Sequence, residues 1–249
     1  MRQQIIIDCD PGQDDAINLL LAMVHPTVFD VLGITTVAGN VPLSLTQRNA
    51  RLMCDLAGRH DIPVFAGCDK PMHRPLTTAE HVHGDTGIDG MDVTEPSSPL
   101  ASRHAVQFIT ETLMSAEDES ITLVPTGPLT NIGQVLTQAP ELTQKIRSIV
   151  LMGGAFREGG NYTPSAEFNI LVDPEAAATV FSCGRPIVAM GLDVTHQVLA
   201  TEARVASIRE VATKPAVATA DMLSFFNRYD SRKYGSDGAP LHDPCTIAY

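Results

Sequence analysis

Four aspartates, Asp8, Asp10, Asp14 and Asp15, fall within eight positions in the stretch Asp8-Cys9-Asp10-Pro11-Gly12-Gln13-Asp14-Asp15. Carboxylates this close repel one another, and a chain that only needed to fold would gain nothing from gathering them. A divalent cation relieves the repulsion, and hard cations such as Ca²⁺ and Mg²⁺ take oxygen ligands of this kind. Asp is also favoured at helix N-caps and in the first helical turn, a role that accounts for one or two of these residues but not for the set.

The flanking residues say what must hold the cluster. Ile5, Ile6 and Ile7 precede it, and Pro11-Gly12 leads into Ala16-Ile17-Asn18-Leu19-Leu20-Leu21-Ala22-Met23, which reads as a buried strand, a tight turn and a helix. Further short β-branched runs alternate with helical patterns, predicting strands over 4–9, 30–38, 120–125, 147–152 and 186–191. Helices are predicted over 13–24, 43–58, 101–116, 128–137, 173–182, 201–212 and 215–230. The expected fold is α/β: a single domain with a mostly parallel central sheet flanked by helices, a Rossmann-like open sheet. Ligands of such sheets gather beyond the carboxyl ends of the strands. Those ends carry the aspartate cluster, Ala38-Gly39-Asn40, Thr126-Gly127-Pro128, Met152-Gly153-Gly154 and Gly191-Leu192-Asp193. Glycines 39, 127, 153 and 154 are expected mainly to supply turns with positive φ.

The 249 residues are 44% hydrophobic, enough for one large core. A formal net charge of -12 disfavours nucleic-acid backbones and anionic membranes as partners. Cys9, Cys54, Cys68, Cys183 and Cys245 are scattered and odd in number, which fits neither a zinc pattern nor a disulfide framework. No signal-peptide pattern opens the chain and no apolar run spans a membrane, so a reduced cytoplasmic setting is expected. The segment from Asp69 to Pro99 reads as a long loop holding His81, His83 and Asp85. Later polar groups are Asn161, Glu167 and Asn169 around Phe168, and the pair His242-Asp243.

Together these blocks resemble the inosine-uridine-preferring nucleoside hydrolase family. The resemblance rests on the signature Asp8-Cys9-Asp10-Pro11-Gly12-Gln13-Asp14-Asp15-Ala16, then Val37-Ala38-Gly39-Asn40 and His83-Gly84-Asp85. It continues through Thr126-Gly127-Pro128, Met152-Gly153-Gly154, Ser165-Ala166-Glu167-Phe168-Asn169 and His242-Asp243-Pro244, in family order across nearly the whole chain. It implies one nucleoside hydrolase-like domain over residues 1–249 that cleaves the N-glycosidic bond of ribonucleosides with one bound Ca²⁺. By similarity, the carboxylates of Asp10, Asp15 and Asp243 and the Thr126 carbonyl hold the metal, and Asp8 supports the cluster. Asp14, Asn40, Asn161, Glu167 and Asn169, with the Met152 carbonyl, resemble the ribose-binding set. Relatives continue beyond the position six residues after Asp243 where this chain stops, which implies a missing C-terminal segment, and a homo-oligomer, dimer or tetramer, is the expected assembly.

Cleaving a ribosyl–base bond develops positive charge on the sugar and negative charge on the base. A carboxylate-rich pocket stabilises the first, and Ca²⁺ fixes the ribose diols beside a water and lowers that water's pKa. Asp10 is the expected general base, with inversion at the anomeric carbon and no covalent intermediate. His83 and His242 are the candidates to protonate the departing base, their ordinary pKa of about 6.5 suiting that task. The family's purine-directed branch uses tryptophan at the base, and this chain has no Trp, which favours pyrimidine or broad specificity. Phe168 is expected to flank base or sugar and Tyr234 to hydrogen-bond a pyrimidine edge, whereas Phe226 and Tyr229 read as packing residues. Two other readings stand: a Mg²⁺-dependent phosphohydrolase built on Asp8 or Asp10, and a nucleoside-binding module without turnover.

Overall fold

Strand β1 (Gln3–Cys9) is covered on both faces, so its isoleucines alternate between two cores instead of between core and water. Ile5, Ile7 and Cys9 pack into one apolar cluster and Ile6 into the other. The computed structural model describes residues 2–249, the side chain of Tyr234 excepted. The remaining strands of the main sheet are β2 (Phe29–Thr36), β3 (Val64–Ala66), β4 (Leu100–Ala101), β5 (Ile121–Pro125), β6 (Ile146–Met152) and β7 (Ile187–Met190). All seven are parallel, in the order β4-β3-β2-β1-β5-β6-β7. The chain winds outward one way from β1 through β2 and the other way from β5. The crevice between the ends of β1 and β5 is thus the switch point where open α/β sheets bind ligands.

Eleven α-helices are found among the described residues: α1 (Gln13–Met23), α2 (Leu43–Ala57), α3 (Glu80–His83), α4 (Ala105–Ser115), α5 (Thr130–Gln138), α6 (Phe168–Val172), α7 (Pro174–Phe181), α8 (Leu192–Thr195), α9 (Glu202–Glu210), α10 (Lys214–Tyr234) and α11 (Pro244–Ala248). The α/β expectation and its five strands hold. β3 and β4 escape prediction because three and two residues are too few to show a period. The helix expected from residue 101 begins instead at Ala105, where His104 caps it by accepting from the Val106 N–H at 3.2 Å. The helix expected to end at 230 runs to Tyr234, since no breaker precedes Gly235, whose φ of 64° closes it.

One further pairing matters for the site. β8 (Leu199–Thr201) and β9 (Gly238–Pro240) form a separate antiparallel pair, and the Leu241 N–H donates to the Val198 carbonyl at 2.7 Å. This tie returns the chain to the sheet's C-terminal edge and delivers His242 and Asp243 beside α1. There Thr246 of α11 meets the Asn18 side chain at 3.4 Å.

Candidate active site

The aspartates diverge as soon as β1 ends. Asp8 shares a face with Ile6, and the parallel register sets it beside Thr35. Its Oδ1 accepts from Thr35 Oγ1 at 2.6 Å and from Asn131 Nδ2 of α5 at 2.8 Å, while Oδ2 is buried without a partner. Burial pushes its pKa up to about 7. Asp8 is not among the residues lining the cavity described below, and neither are Asp10 and Asp15, which lie beneath it.

Asp10 sits between two strand ends. Its Oδ2 accepts from the Asn40 N–H at 2.7 Å, and its buried Oδ1 has no partner. A Cβ on Gly39 would fall 2.1 Å from that carboxylate and one on Gly127 2.6 Å, so both glycines are there to let the backbone close on Asp10. This corrects their assignment to turns: neither has positive φ, whereas Gly154 does, at 90°. Asp15 accepts from Thr126 Oγ1 at 2.7 Å, from the Gly12 N–H at 3.1 Å and from Asn40 Nδ2 at 3.3 Å.

Asp14, Asp15 and Asp243 each offer an oxygen within 4.8 Å of the other two, and all three are buried. Burial, then mutual repulsion, raises the pKa of Asp14 to about 7, and burial alone outweighs the hydrogen bonds of Asp15 to give about 6. Asp10 and Asp243 are driven well above the carboxylate range by burial first and their neighbours' charge second. No Lys or Arg offsets them among the residues lining the cavity. Unpartnered oxygens on Asp10 and Asp14 within an all-oxygen donor set fit a hard divalent cation. The tight triad includes Asp14, expected from sequence on the ribose side, in place of Asp10.

A cavity of about 530 Å³ opens above this turn. At one end it is lined by Asp14, Asn40, Thr126, Met152, Asn161, Glu167, Phe168, Asn169 and Asp243. These side chains hold one another in place. Glu167 caps α6, accepting from the Asn169 and Ile170 N–H groups at 2.9 and 3.2 Å and from the Gly154 N–H at 3.0 Å. Asn161 Oδ1 accepts from the Phe168 N–H at 2.9 Å. Asn169 Nδ2 donates to the Thr126 carbonyl at 2.7 Å and the Met152 carbonyl at 3.3 Å, so both carbonyls singled out from sequence point to one place.

The other end is lined by His81, His83, His196, His242, Phe226, Tyr229 and Asp230. Phe226 stacks on His83 with centroids 5.4 Å apart, and Tyr229 meets His81 edge-on at 5.8 Å. Phe226 and Tyr229 therefore line the cavity, contrary to their reading as packing residues; helical spacing marks a shared face but not what that face meets. His196 and Asp230 were missed because nothing local in their sequence sets them apart. The Tyr234 side chain lies outside the described residues. His83 Nδ1 lies 2.8 Å from Gln13 Oε1, and His242 Nδ1 lies 2.7 Å from Thr195 Oγ1. Burial, with a smaller effect of neighbouring imidazoles, lowers both histidines to about 3, so each is neutral near pH 7 and not the imidazolium expected from the ordinary pKa.

The sequence profile of the inosine-uridine preferring nucleoside hydrolase family matches residues 5–249. The chain is 50% identical over 250 residues to the pyrimidine-specific ribonucleoside hydrolase RihA of Photobacterium profundum, spanning 100% of this chain and 80% of that one. A plant nucleoside hydrolase superposes with a TM-score of 0.95 at 33% identity, covering 100% of this chain and 78% of its own. A purine-preferring ribonucleoside hydrolase from Gardnerella vaginalis superposes at 0.93 with 34% identity, covering 99% and 79%.

Proposed function

From the premise that the chain belongs to the inosine-uridine preferring nucleoside hydrolase family and is a ribonucleoside N-glycosidase, we propose that its substrates are pyrimidine ribonucleosides and its metal Ca²⁺. The observation that carries this reading is the two-ended cavity, carboxylates and amides at one end and imidazoles at the other. Ribose hydroxyls match the first and a planar base the second. The pyrimidine preference is supported by the name of the RihA relative and by a base end without Trp. The same cavity disfavours the phosphohydrolase reading, because no Lys or Arg among its lining residues meets a phosphate.

In this reading Asp10, Asp15 and Asp243, with the Thr126 carbonyl, hold the metal, and Asp14 lies at its margin toward the sugar. A bound cation supplies neutralisation of the carboxylates and acidifies a neighbouring water. The chain's own groups do the rest. Asp14, Asn40, Asn161, Glu167 and Asn169 fix the ribose, and their pre-formed hydrogen bonds spare reorganisation when charge develops. Asp10, with its unpartnered Oδ1, takes the proton of the attacking water. The buried carboxylates stabilise the positive charge on the sugar, attack from one face inverts the anomeric carbon, and no covalent intermediate is needed. His242 assists the departing base by hydrogen bonding, with Phe168 and Phe226 flanking the bound nucleoside.

A homo-oligomer in a reducing, cytoplasmic setting completes the proposal. Five unpaired cysteines accord with it, and no helix among the described residues is long and apolar enough to cross a membrane. Incubation with uridine, cytidine, inosine and adenosine, with and without chelator, tests the activity through release of reducing sugar. Faster release from uridine and cytidine, abolished by chelator and restored by Ca²⁺, is expected. Faster release from inosine overturns the base preference, and release from none of the four overturns the whole reading.

A further inference from the structure

Gln13 fills the variable position of the aspartate signature, and neither the metal nor the ribose set uses it. It is nevertheless 0% exposed. Its whole amide is spent on the loop that carries His83. Nε2 donates to the His83 carbonyl at 2.8 Å and to the Asp89 carbonyl at 3.2 Å, which leaves Oε1 facing His83 Nδ1 at 2.8 Å.

This arrangement admits one proton placement. Two backbone carbonyls can only accept, so the amide nitrogen must face them and the amide oxygen must face the ring. An amide oxygen also only accepts, so His83 Nδ1 carries a hydrogen. The ring, lowered to about 3 by burial, holds a single proton near neutrality, and Nε2 is then a bare lone pair. The ring is closely packed in this orientation. Phe226 stacks on it with planes 22° apart, and a Cβ on Gly12 would lie 2.4 Å from Nδ1. His83 lines the base end of the cavity, and no hydrogen bond to its Nε2 occurs among the described residues.

We propose that Gln13 is a positioning residue that locks His83 as its Nδ1–H tautomer, so that Nε2 accepts a hydrogen bond from an N–H or O–H donor of the bound nucleoside. The substrate half of this inference rests on the nucleoside reading above; the tautomer half does not. His83 thereby becomes an acceptor that orients the substrate, and the role of proton donor to the base falls away from it. Two donors suit the lone pair: the imide N3–H of uracil and the 5′-hydroxyl of ribose.

Protein labelled with ¹⁵N-histidine, its His83 signals assigned with H83N, reports the tautomer in a long-range ¹H–¹⁵N correlation without any substrate. Wild type is expected to show a protonated Nδ1 and a bare Nε2. Q13M keeps the side-chain length without the amide and is expected to move His83 toward the Nε2–H form. A wild-type Nε2–H ring, or an unchanged ring in Q13M, overturns the lock. For the substrate half, kcat/KM is compared for uridine, 3-deazauridine and 5′-deoxyuridine. The analogue lacking the matched donor should lose about tenfold in wild type and about threefold or less in Q13M. A penalty that shrinks for 3-deazauridine assigns the contact to the base, and one that shrinks for 5′-deoxyuridine assigns it to the sugar. Equal penalties in both proteins for both analogues overturn it. Should no nucleoside be cleaved at all, the functional reading fails while the tautomer is still decided by the spectra.

Discussion

If the carboxylate triad holds a divalent cation, stability should depend on that cation by a calculable amount. Asp14, Asp15 and Asp243 offer oxygens within 4.8 Å of one another, and unit charges at that distance repel by about 3.5 kcal/mol at an effective dielectric constant of about 20. A cation that cancels one such contact stabilises the native chain by about 3 kcal/mol, close to the mass-action gain at a hundredfold excess over Kd. For a chain of this size each kcal/mol moves Tm by about 2–4 °C, so Ca²⁺ is expected to raise Tm by roughly 6–12 °C over protein in chelator. Thermal melts followed by circular dichroism at pH 7.5 across a Ca²⁺ titration measure this. D243N removes one of the three carboxylates, so its melting temperature should respond less to Ca²⁺ than that of wild type. Melting temperatures within about 1 °C with and without excess Ca²⁺ refute the reasoning, because they mean either that the charges are already neutralised or that no cation binds.

Two more outcomes follow from buried contacts. G127A places a methyl group where the nearest Asp10 oxygen lies 2.6 Å away; kinetics with uridine should show kcat lower by at least tenfold, and an unchanged kcat would show that Asp10 can move without consequence. His83 titrates at about 3 in the folded chain against an ordinary 6.5, so the unfolded chain binds the extra proton between those values. Stability is therefore lost as pH falls from about 6.5 toward 3, by up to about 4–5 kcal/mol at the lower limit for this residue. Denaturant midpoints across that range should show wild type losing stability relative to H83M as pH falls; parallel curves would contradict the buried neutral ring.

Much of this was legible in the sequence because the informative residues sit at strand ends, where short apolar, β-branched runs stop and glycine or polar residues begin. The five longer strands, the aspartate turn and the Asn161 to Asn169 block declare themselves in that way. What stayed hidden depends on contacts between distant segments. Nothing local distinguishes Gln13 from a surface glutamine at a variable position, since its partners lie 70 and 76 positions away. Gly39 and Gly127 look like ordinary turn glycines until Asp10 is seen between them. The neutrality of His83 and His242 is likewise a consequence of burial, which a loop-like sequence context conceals. Phe226 and Tyr229 show the converse: their helical face is visible in sequence, but an active-site wall and a hydrophobic core use the same residues.

The isoleucine run of β1 raises a problem that Asp8 resolves. Because both faces of β1 are apolar, sliding the strand by one residue would exchange isoleucine for isoleucine at little hydrophobic cost, and hydrophobicity alone does not choose the alignment. The pairing with β2 already shifts between Ile5 and Ile6, so the strand is not held by a uniform ladder. Asp8 is the buried polar residue of the strand for which the two alignments differ. On its present face it meets Thr35 and Asn131; one step over, its carboxylate would enter the cluster of Ile5, Ile7, Val64 and Met53 with no donor to receive it. An aspartate that touches no part of the cavity thus breaks the degeneracy of the strand, and in doing so determines where Asp10, Asp14 and Asp15 emerge.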